Sequence, residues 1–248
     1  MKIVVFRELD DLYCHAADRF ARLAEESIQQ RGRFLVLLSG GTTPIPLYQR
    51  LTKDPWRSQV DWRNIIVGWG DERCVPPNDE ASNYRQAFEA LLSHVPVHTD
   101  HILRIRGELD PEAGAVDYEQ RLRHVMGEQS SLDLVLLGLG ADGHTASLFP
   151  DGAALQETSR WFAAAEAPIP PVHRVTVTLP LTNASRSVMF LATGGDKAGA
   201  FARIRQGEAL PAAAIHLVDS DPVWLVDEAI ADAESLESNR QQTGLTQE

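Results

Sequence analysis

The chain has 248 residues, of which 44% are hydrophobic and 23% charged, and this composition excludes a disordered, collagen-like or low-complexity protein. Its formal net charge of −12 argues against nucleic acid or anionic membranes as partners, because both are bound chiefly through basic residues. No segment approaches the run of about 20 apolar residues that a membrane span needs. The chain has two cysteines, too few for a disulfide framework, so we expect a cytoplasmic protein.

Short apolar runs bounded by Gly, Pro or Asp recur along the chain, as is typical of strands buried on both faces of a parallel sheet. Strands are predicted at 3–6, 34–38, 65–69, 132–137, 175–179, 188–192 and 215–218. Apolar residues at helical spacing predict helices near 9–28, 84–92 and 116–125. This alternation predicts an α/β fold with an open, mostly parallel, Rossmann-like sheet and helices on both faces.

We expect one domain over residues 1–231, followed by a polar tail, 232–248, that lacks hydrophobic periodicity and frays. In open α/β sheets, ligands bind beyond the carboxyl ends of the strands. The loops that follow the predicted strands are therefore where a functional site is expected.

The loop after the strand at 34–38 contains Gly40, Gly41 and Thr42 and leads into a predicted helix. Its glycines allow a sharp turn and a close approach to a ligand, and its free amides and hydroxyls can cradle a phosphate or carboxylate. An ordinary strand-to-helix turn without a ligand explains the same residues.

The loop after the strand at 65–69 carries Asp71, Glu72 and Arg73. The carboxylates can orient a water or a sugar hydroxyl, and the guanidinium can bind an anion with two parallel hydrogen bonds. Alternatively, an acid and the arginine form an ion pair that only closes the loop. Cys74 lies beside this cation, which would lower its pKa, but no base is evident near it and we assign it no role.

The segment at 138–143 matches G-x-G-x-x-G, yet we do not interpret it as a dinucleotide site. The helix predicted after it must stop at Pro150, and no strand ending in an acidic residue follows at the required distance. The loop instead carries Asp142 and His144. The carboxylate can orient the imidazole and raise its basicity, although a helix-capping aspartate beside a partly buried histidine is an alternative.

Lys197 opens a predicted helix after the strand at 188–192, a position that the helix dipole disfavours for a cation. A nearby anion such as a substrate phosphate explains it better, although a solvated lysine is an alternative. Arg174, at the start of the strand at 175–179, adds a second positive charge or faces solvent. His94, His98 and His101 lack the further ligand of a tetrahedral zinc site, so we predict no metal.

Together these loops suit a sugar phosphate and proton transfer without an organic cofactor. The runs SGGTTP, GDERCVPPNDEASNY, LGLGADGHTASLFP, RVTVTLPLTNAS and GGDK, in this order, resemble the 6-phosphogluconolactonase family over about residues 3–231. The resemblance implies the fold of glucosamine-6-phosphate deaminases and ribose-5-phosphate isomerases. It also implies hydrolysis of 6-phospho-D-glucono-1,5-lactone to 6-phospho-D-gluconate in the oxidative pentose phosphate pathway. We expect the protein to be a monomer or a weak homodimer.

The same resemblance implies a role for each matching residue. His144 corresponds to the general base, and Asp142 corresponds to its orienting partner. The residues implied to bind substrate are Gly40, Gly41, Thr42, Asp71, Arg73, Arg174 and Lys197.

Two other functions would use the same fold, and the sequence lacks a feature expected of each. Glucosamine-6-phosphate deaminases continue the Asp-Gly-His run with an acidic residue, whereas this chain continues with Thr145, Ala146 and Ser147. A non-catalytic sugar-phosphate sensor would normally carry a DNA-binding segment, and none precedes the first predicted strand of this acidic chain.

Overall fold

The chain forms a parallel sheet, a smaller antiparallel sheet and the helices packed against them. The structure is a computed structural model that describes residues 1–129 and 131–231, so the tail predicted at 232–248 lies outside the described residues. The strands are β1 (Lys2–Phe6), β2 (Phe34–Leu38), β3 (Ile65–Trp69), β4 (Asp71–Arg73), β5 (Leu134–Leu137), β6 (Phe162–Glu166), β7 (His173–Val177), β8 (Val188–Ala192) and β9 (Val223–Asp227). The α-helices are α1 (Leu9–Arg31), α2 (Ile45–Leu51), α3 (Trp56–Gln59), α4 (Asn83–Ala87), α5 (Pro111–Met126), α6 (Leu179–Asn183), α7 (Ala198–Arg205) and α8 (Glu228–Ala231).

The larger sheet has the strand order β1-β9-β8-β5-β2-β3, and all of its neighbouring strands are parallel. Every residue of β2, β3, β5, β8 and β9 is buried, because these strands are apolar on both faces and are covered on both. The predicted α/β fold with a mostly parallel central sheet is confirmed.

The smaller sheet has the order β4-β7-β6 and is antiparallel. The prediction that 175–179 joins the parallel sheet was therefore wrong. The pattern misled because β7 is also covered on both faces, and a fully buried strand looks the same in either direction. Only Gly70 separates β3 from β4, so the smaller sheet begins at the carboxyl end of the larger one.

Two further expectations were wrong. The segment 215–218 forms no strand: it follows the 3-10 turn Pro211–Ala214, and the side chain of Val218 is 84% exposed. The last strand of the sheet is β9 instead, and the short apolar run at 215–218 was too brief to decide between strand and loop. The helix expected before Pro150 is replaced by turns, since Ala146 has a φ of 48° and residues 145 and 148 form an isolated bridge.

The helices predicted near 9–28, 84–92 and 116–125 are observed, the second as α4 followed by a π-helical turn over Phe88–Leu92. The ends of the first and the third follow from the sequence. Gly32 ends α1 in the left-handed conformation at φ 75°, and its N–H donates to the carbonyl of Ile28. Asp110 caps α5 by accepting hydrogen bonds from the amides of residues 112 and 113, with Pro111 in the first helical position. Among the described helices, none has both the length and the apolarity to cross a membrane.

The strand order reverses at β2. From β2 the chain passes to β3 on one side, whereas β5, on the other side of β2, is followed outward by β8 and β9. The loops after β2 and β5 therefore leave a crevice at the carboxyl ends of adjacent strands, which is where ligands bind in open α/β sheets.

Candidate active site

A cavity of about 320 Å³ lies at this crevice, between the loops that follow β2, β3, β5 and β8. The predicted site residues that line it are Gly40, Gly41, Thr42, Asp71, Arg73, His144 and Lys197. Asp142 is hydrogen-bonded to the imidazole of His144. Arg174 lies opposite Arg73 in the ladder between β4 and β7. Groups that are far apart in the sequence thus face one space.

The imidazole of His144 is held by Asp142. Oδ1 of the carboxylate lies 2.5 Å from Nδ1 of the ring and 3.0 Å from the backbone nitrogen of the same histidine. A carboxylate accepts hydrogen bonds, so Nδ1 is the donor and Nε2 is left as the acceptor. Partial burial raises the pKa of Asp142, but the hydrogen bonds from the amide and ring of His144 outweigh it and bring the pKa below its usual value.

Two neighbours fix this pair, and neither was assigned a role from the sequence. A Cβ on Gly140 would lie 2.1 Å from Nδ1 of His144, so only glycine leaves room for the ring. The ring of Phe149 packs on the other side, with ring centroids 4.7 Å apart. The glycine spacing at 138–143 could have indicated Gly140, whereas the position of Phe149 depends on the turn that replaced the expected helix.

The glycine loop is anchored by tyrosine hydroxyls from two helices. Tyr48 of α2 donates to the carbonyl of Ser39 at 2.6 Å and accepts from its amide at 3.0 Å. Tyr13 of α1 donates to the carbonyl of Thr43 at 2.8 Å. Burial raises the pKa of the Tyr48 phenol, so it stays a hydrogen-bond donor at neutral pH.

One amide of this loop already has a hydrogen-bond partner within the protein. The N–H of Gly41, at φ 85°, donates to Oε1 of Gln86 at 3.3 Å. The amide of Thr42 has no hydrogen-bond partner among the described residues. A Cβ on Gly40 would lie 1.9 Å from Oδ1 of Asn83, so glycine is required there by close contact.

Asp71 belongs to a buried polar network that sequence reasoning missed. Its Oδ2 accepts from Oγ of Ser147 at 2.7 Å, and Asn83 donates from Nδ2 to its backbone carbonyl at 2.9 Å. Ser147 and Asn83 are almost fully buried. The network ties the loop of His144 to the loop of Arg73, and nothing in the spacing of these residues predicts it.

Glu72 does not pair with Arg73 through its side chain. Its carboxylate accepts from the backbone amides of residues 73, 83 and 84 and from Oγ of Ser82. Burial raises the pKa of Glu72, and the amide hydrogen bonds only partly offset this effect. The ion pair suggested as an alternative for this loop is absent, so the acidic side chain organises the backbone instead.

Arg73 therefore keeps a free positive charge at the cavity. Its Nη1 donates to the carbonyl of Ala81 at 2.5 Å, and no described carboxylate lies within 4.0 Å of it. Arg174 is buried beside it rather than facing solvent, and burial followed by the charge of Arg73 lowers the pKa of Arg174. Burial raises the pKa of Cys74 to about 11, so the adjacent arginine does not activate this thiol.

Lys197 reaches the cavity from the 3-10 turn Gly195–Lys197 that precedes α7. Its Nζ lies 3.1 Å from both carboxylate oxygens of Asp196 and 3.1 Å from the carbonyl of Thr193. An anion was expected near Lys197, and in the structure the carboxylate of the adjacent Asp196 takes that place.

A larger cleft of about 1070 Å³ adjoins this region and includes Asp142 and Ser147 in its wall. Its other ionisable residues are mainly carboxylates: Asp110, Glu112, Asp151 and Glu166, with His173 at one side. This wall would repel an anion, whereas the smaller cavity offers a guanidinium and an ammonium. Within the described residues, no group of three or more His, Cys, Asp or Glu side chains is arranged to hold a metal.

Comparison with known proteins places the chain in a family. Residues 7–224 match the family described as glucosamine-6-phosphate isomerases/6-phosphogluconolactonase. The chain belongs to this family. The family resemblance expected from the motifs is thereby confirmed.

Individual relatives agree with this assignment. A protein named probable 6-phosphogluconolactonase 1 from Oryza sativa is 33% identical, over 93% of this chain and 83% of its own. The crystal structure of a 6-phosphogluconolactonase from Thermotoga maritima superposes with a TM-score of 0.80 at 27% identity, covering 92% of this chain and 99% of the other. A monomeric glucosamine-6-phosphate deaminase shares the fold, with a TM-score of 0.77 at 22% identity over 94% of this chain and all of its own.

Proposed function

We propose that this family member hydrolyses 6-phospho-D-glucono-1,5-lactone to 6-phospho-D-gluconate, as its relatives' names indicate for them, in the oxidative pentose phosphate pathway. The observation that carries the proposal is the shared cavity, in which an oriented imidazole and two basic side chains face one another. A substrate with a phosphate group and a hydrolysable carbonyl fits a cavity that contains both basic side chains and a general base. The reaction needs no organic cofactor and no metal.

His144 is the general base in this mechanism. Its Nδ1 donates to Asp142, so Nε2 carries the lone pair, and Nε2 has no hydrogen-bond partner among the described residues. It takes a proton from a water molecule as the water attacks the lactone carbonyl. The imidazolium then returns the proton to the ring oxygen as the C–O bond breaks, while loop amides or a basic side chain stabilise the oxyanion.

Arg73, Lys197 and the glycine loop hold the substrate phosphate. The guanidinium of Arg73 has unused donors and no carboxylate among the described residues to satisfy them, so it can bind two phosphate oxygens at once. The unpartnered amide of Thr42 supplies a further donor. Asp71 lines the cavity and ties the loop of His144 to the loop of Arg73 through Ser147, whereas Arg174 is buried next to Arg73.

The experiment that tests this proposal offers two substrates to the purified protein. 6-Phosphogluconolactone and glucosamine 6-phosphate are assayed side by side, and spontaneous opening of the lactone is subtracted. We expect lactone hydrolysis well above the spontaneous rate and no release of ammonia. Ammonia release would support the deaminase instead, and binding of both compounds without turnover would support a sensor.

A further inference from the structure

Three acceptor oxygens of the protein lie within hydrogen-bond distance of the Lys197 ammonium. An ammonium has three donors, which equals the number of these acceptors: both carboxylate oxygens of Asp196 and the carbonyl of Thr193, all 3.1 Å from Nζ. Asp196 itself lines the cavity. A ligand phosphate that binds Lys197 must therefore replace at least one oxygen of this carboxylate.

The contact is built into the turn. Residues adjacent in sequence do not face each other on a regular helix, but the turn after β8 brings Asp196 back over Lys197. Gly194 makes this possible: its φ is 97°, and a Cβ there would lie 2.8 Å from Oδ1 of Asp196. The amide of Gly194 donates to Oδ2 of Asp227 at 2.9 Å, which holds the turn against the end of β9.

The two basic groups of the cavity thus differ. Arg73 has no carboxylate within 4.0 Å in the part of the chain that the structure describes, whereas Lys197 has one on its adjacent residue. The side chain of Asp196 is 67% exposed and that of Lys197 is 20% exposed, so the carboxylate can swing into solvent while the ammonium stays at the cavity wall.

We propose that Asp196 is an internal competitor of the ligand phosphate for Lys197. The carboxylate weakens binding of the phosphate group in substrate and product alike, and it re-forms its pair with Lys197 as product leaves. A phosphate with two negative charges can displace it, whereas a carboxylate ligand gains nothing by the exchange. The inference rests on the proposed function for the identity of the ligand's phosphate group.

The size of the effect follows from the exposure of the pair. Exposed ion pairs change an equilibrium by about two- to fivefold, and salt screens them. Replacing Asp196 with Asn keeps the size of the side chain and removes the competing charge. We expect Asp196→Asn to bind inorganic phosphate about two- to fivefold more tightly, to lower KM for the lactone, and to increase inhibition by 6-phosphogluconate.

The experiment is a calorimetric titration of inorganic phosphate into the full-length protein and its variants. Asp219→Asn is the matched control, because Asp219 is exposed, carries the same charge and does not line the cavity. Titrations at ionic strengths of about 10 mM and 150 mM separate a local contact from the overall charge, since the Debye length falls from about 30 Å to about 8 Å. Asp196→Asn is also combined with Lys197→Gln, to test whether the gain in phosphate affinity depends on the lysine.

The proposal requires tighter binding in Asp196→Asn only, and loss of that gain in the Lys197→Gln background. The proposal is overturned if Asp196→Asn binds phosphate with unchanged affinity, or if Asp219→Asn gains affinity equally. It is also overturned if the gain in affinity persists in the Lys197→Gln background, or if neither the parent nor Asp196→Asn binds phosphate. The lactone assay on the same samples keeps the two proposals apart. Lactone hydrolysis with unchanged phosphate affinity rejects only the competitor, whereas tighter phosphate binding without hydrolysis rejects only the lactonase.

Discussion

Two aspartates beside this cavity each contact a basic side chain, and the two contacts differ in kind. Asp142 contacts the ring and the backbone amide of His144, so it is tied to the residue whose orientation it sets. Asp196 contacts only the ammonium of Lys197 among the described residues and remains mostly exposed. Under the two proposals, Asp142 supports the site because it binds Nδ1 of His144 and leaves Nε2 free for water. Asp196 opposes ligand binding because its carboxylate and the ligand phosphate accept hydrogen bonds from the same ammonium.

The largest effect should come from removing the base itself. We expect His144→Ala to lower kcat by about 10²–10⁴-fold, which is the usual contribution of general-base catalysis. The measurement is the initial rate of lactone hydrolysis with the spontaneous rate subtracted. His124→Ala, an exposed histidine on α5, is the control and should turn over normally. Near-normal turnover in His144→Ala would mean that another group activates water.

Asp142→Asn tests the supporting half of the comparison. We expect kcat to fall by about 10–100-fold with little change in KM, because the amide no longer holds the ring in the tautomer that leaves Nε2 free. Asp196→Asn should move the other parameter, lowering KM. If both substitutions changed KM alone, the distinction between the two aspartates would be lost.

Gly140→Ala tests whether close packing orients the imidazole. The added Cβ would lie 2.1 Å from Nδ1 of His144, so the ring must rotate away from Asp142, and we expect kcat to fall by about tenfold. Gly199→Ala is the matched control, because Gly199 is on α7 with nothing within 4 Å of a Cβ. That control should keep full activity and gain up to about 1 kcal/mol of stability. Equal activity in the two variants would contradict the packing argument.

The smallest effect concerns Glu72 and appears in stability rather than in rate. Burial raises the pKa of Glu72 in the folded protein, so protonation favours the folded state. Its favourable contribution is complete below the unfolded pKa of about 4.3 and is lost as pH rises through the folded value. Relative to Glu72→Gln, the free energy of unfolding of the parent should fall as pH rises from about 4.3, as measured by urea denaturation. A difference that does not change with pH would show that the carboxylate is not perturbed.

Much of the parallel sheet was predictable from the sequence. The bounds predicted for β2, β3 and β8 match the structure because each strand is a short apolar run enclosed by turn residues. The direction of β7 was not predictable, since burial on both faces gives the same pattern in either sheet. Strand β9 was not predicted, and the strand was placed instead at the nearby apolar run 215–218, which pairs with no other described strand.

The candidate site was also predictable only in part. The loops after the strands indicated His144, Asp142, Arg73 and Lys197, because ligands in this fold class bind at the carboxyl ends of the strands. The contacts between loops were not predictable: Ser147 and Asn83 reach Asp71 across 76 and 12 positions of the chain. Asp196 and Lys197 are adjacent in the sequence, yet only the backbone of the turn decides whether they pair.

The most direct test of the proposed mechanism is the crystal structure of the protein with 6-phosphogluconate bound. We predict that phosphate oxygens contact Arg73 and Lys197, with Asp196 displaced. We also predict that the carboxylate of the product lies about 2.6–3.2 Å from Nε2 of His144, or one water molecule away. A product whose carboxylate end lies away from His144, or whose phosphate lies outside the cavity of Arg73 and Lys197, would contradict it.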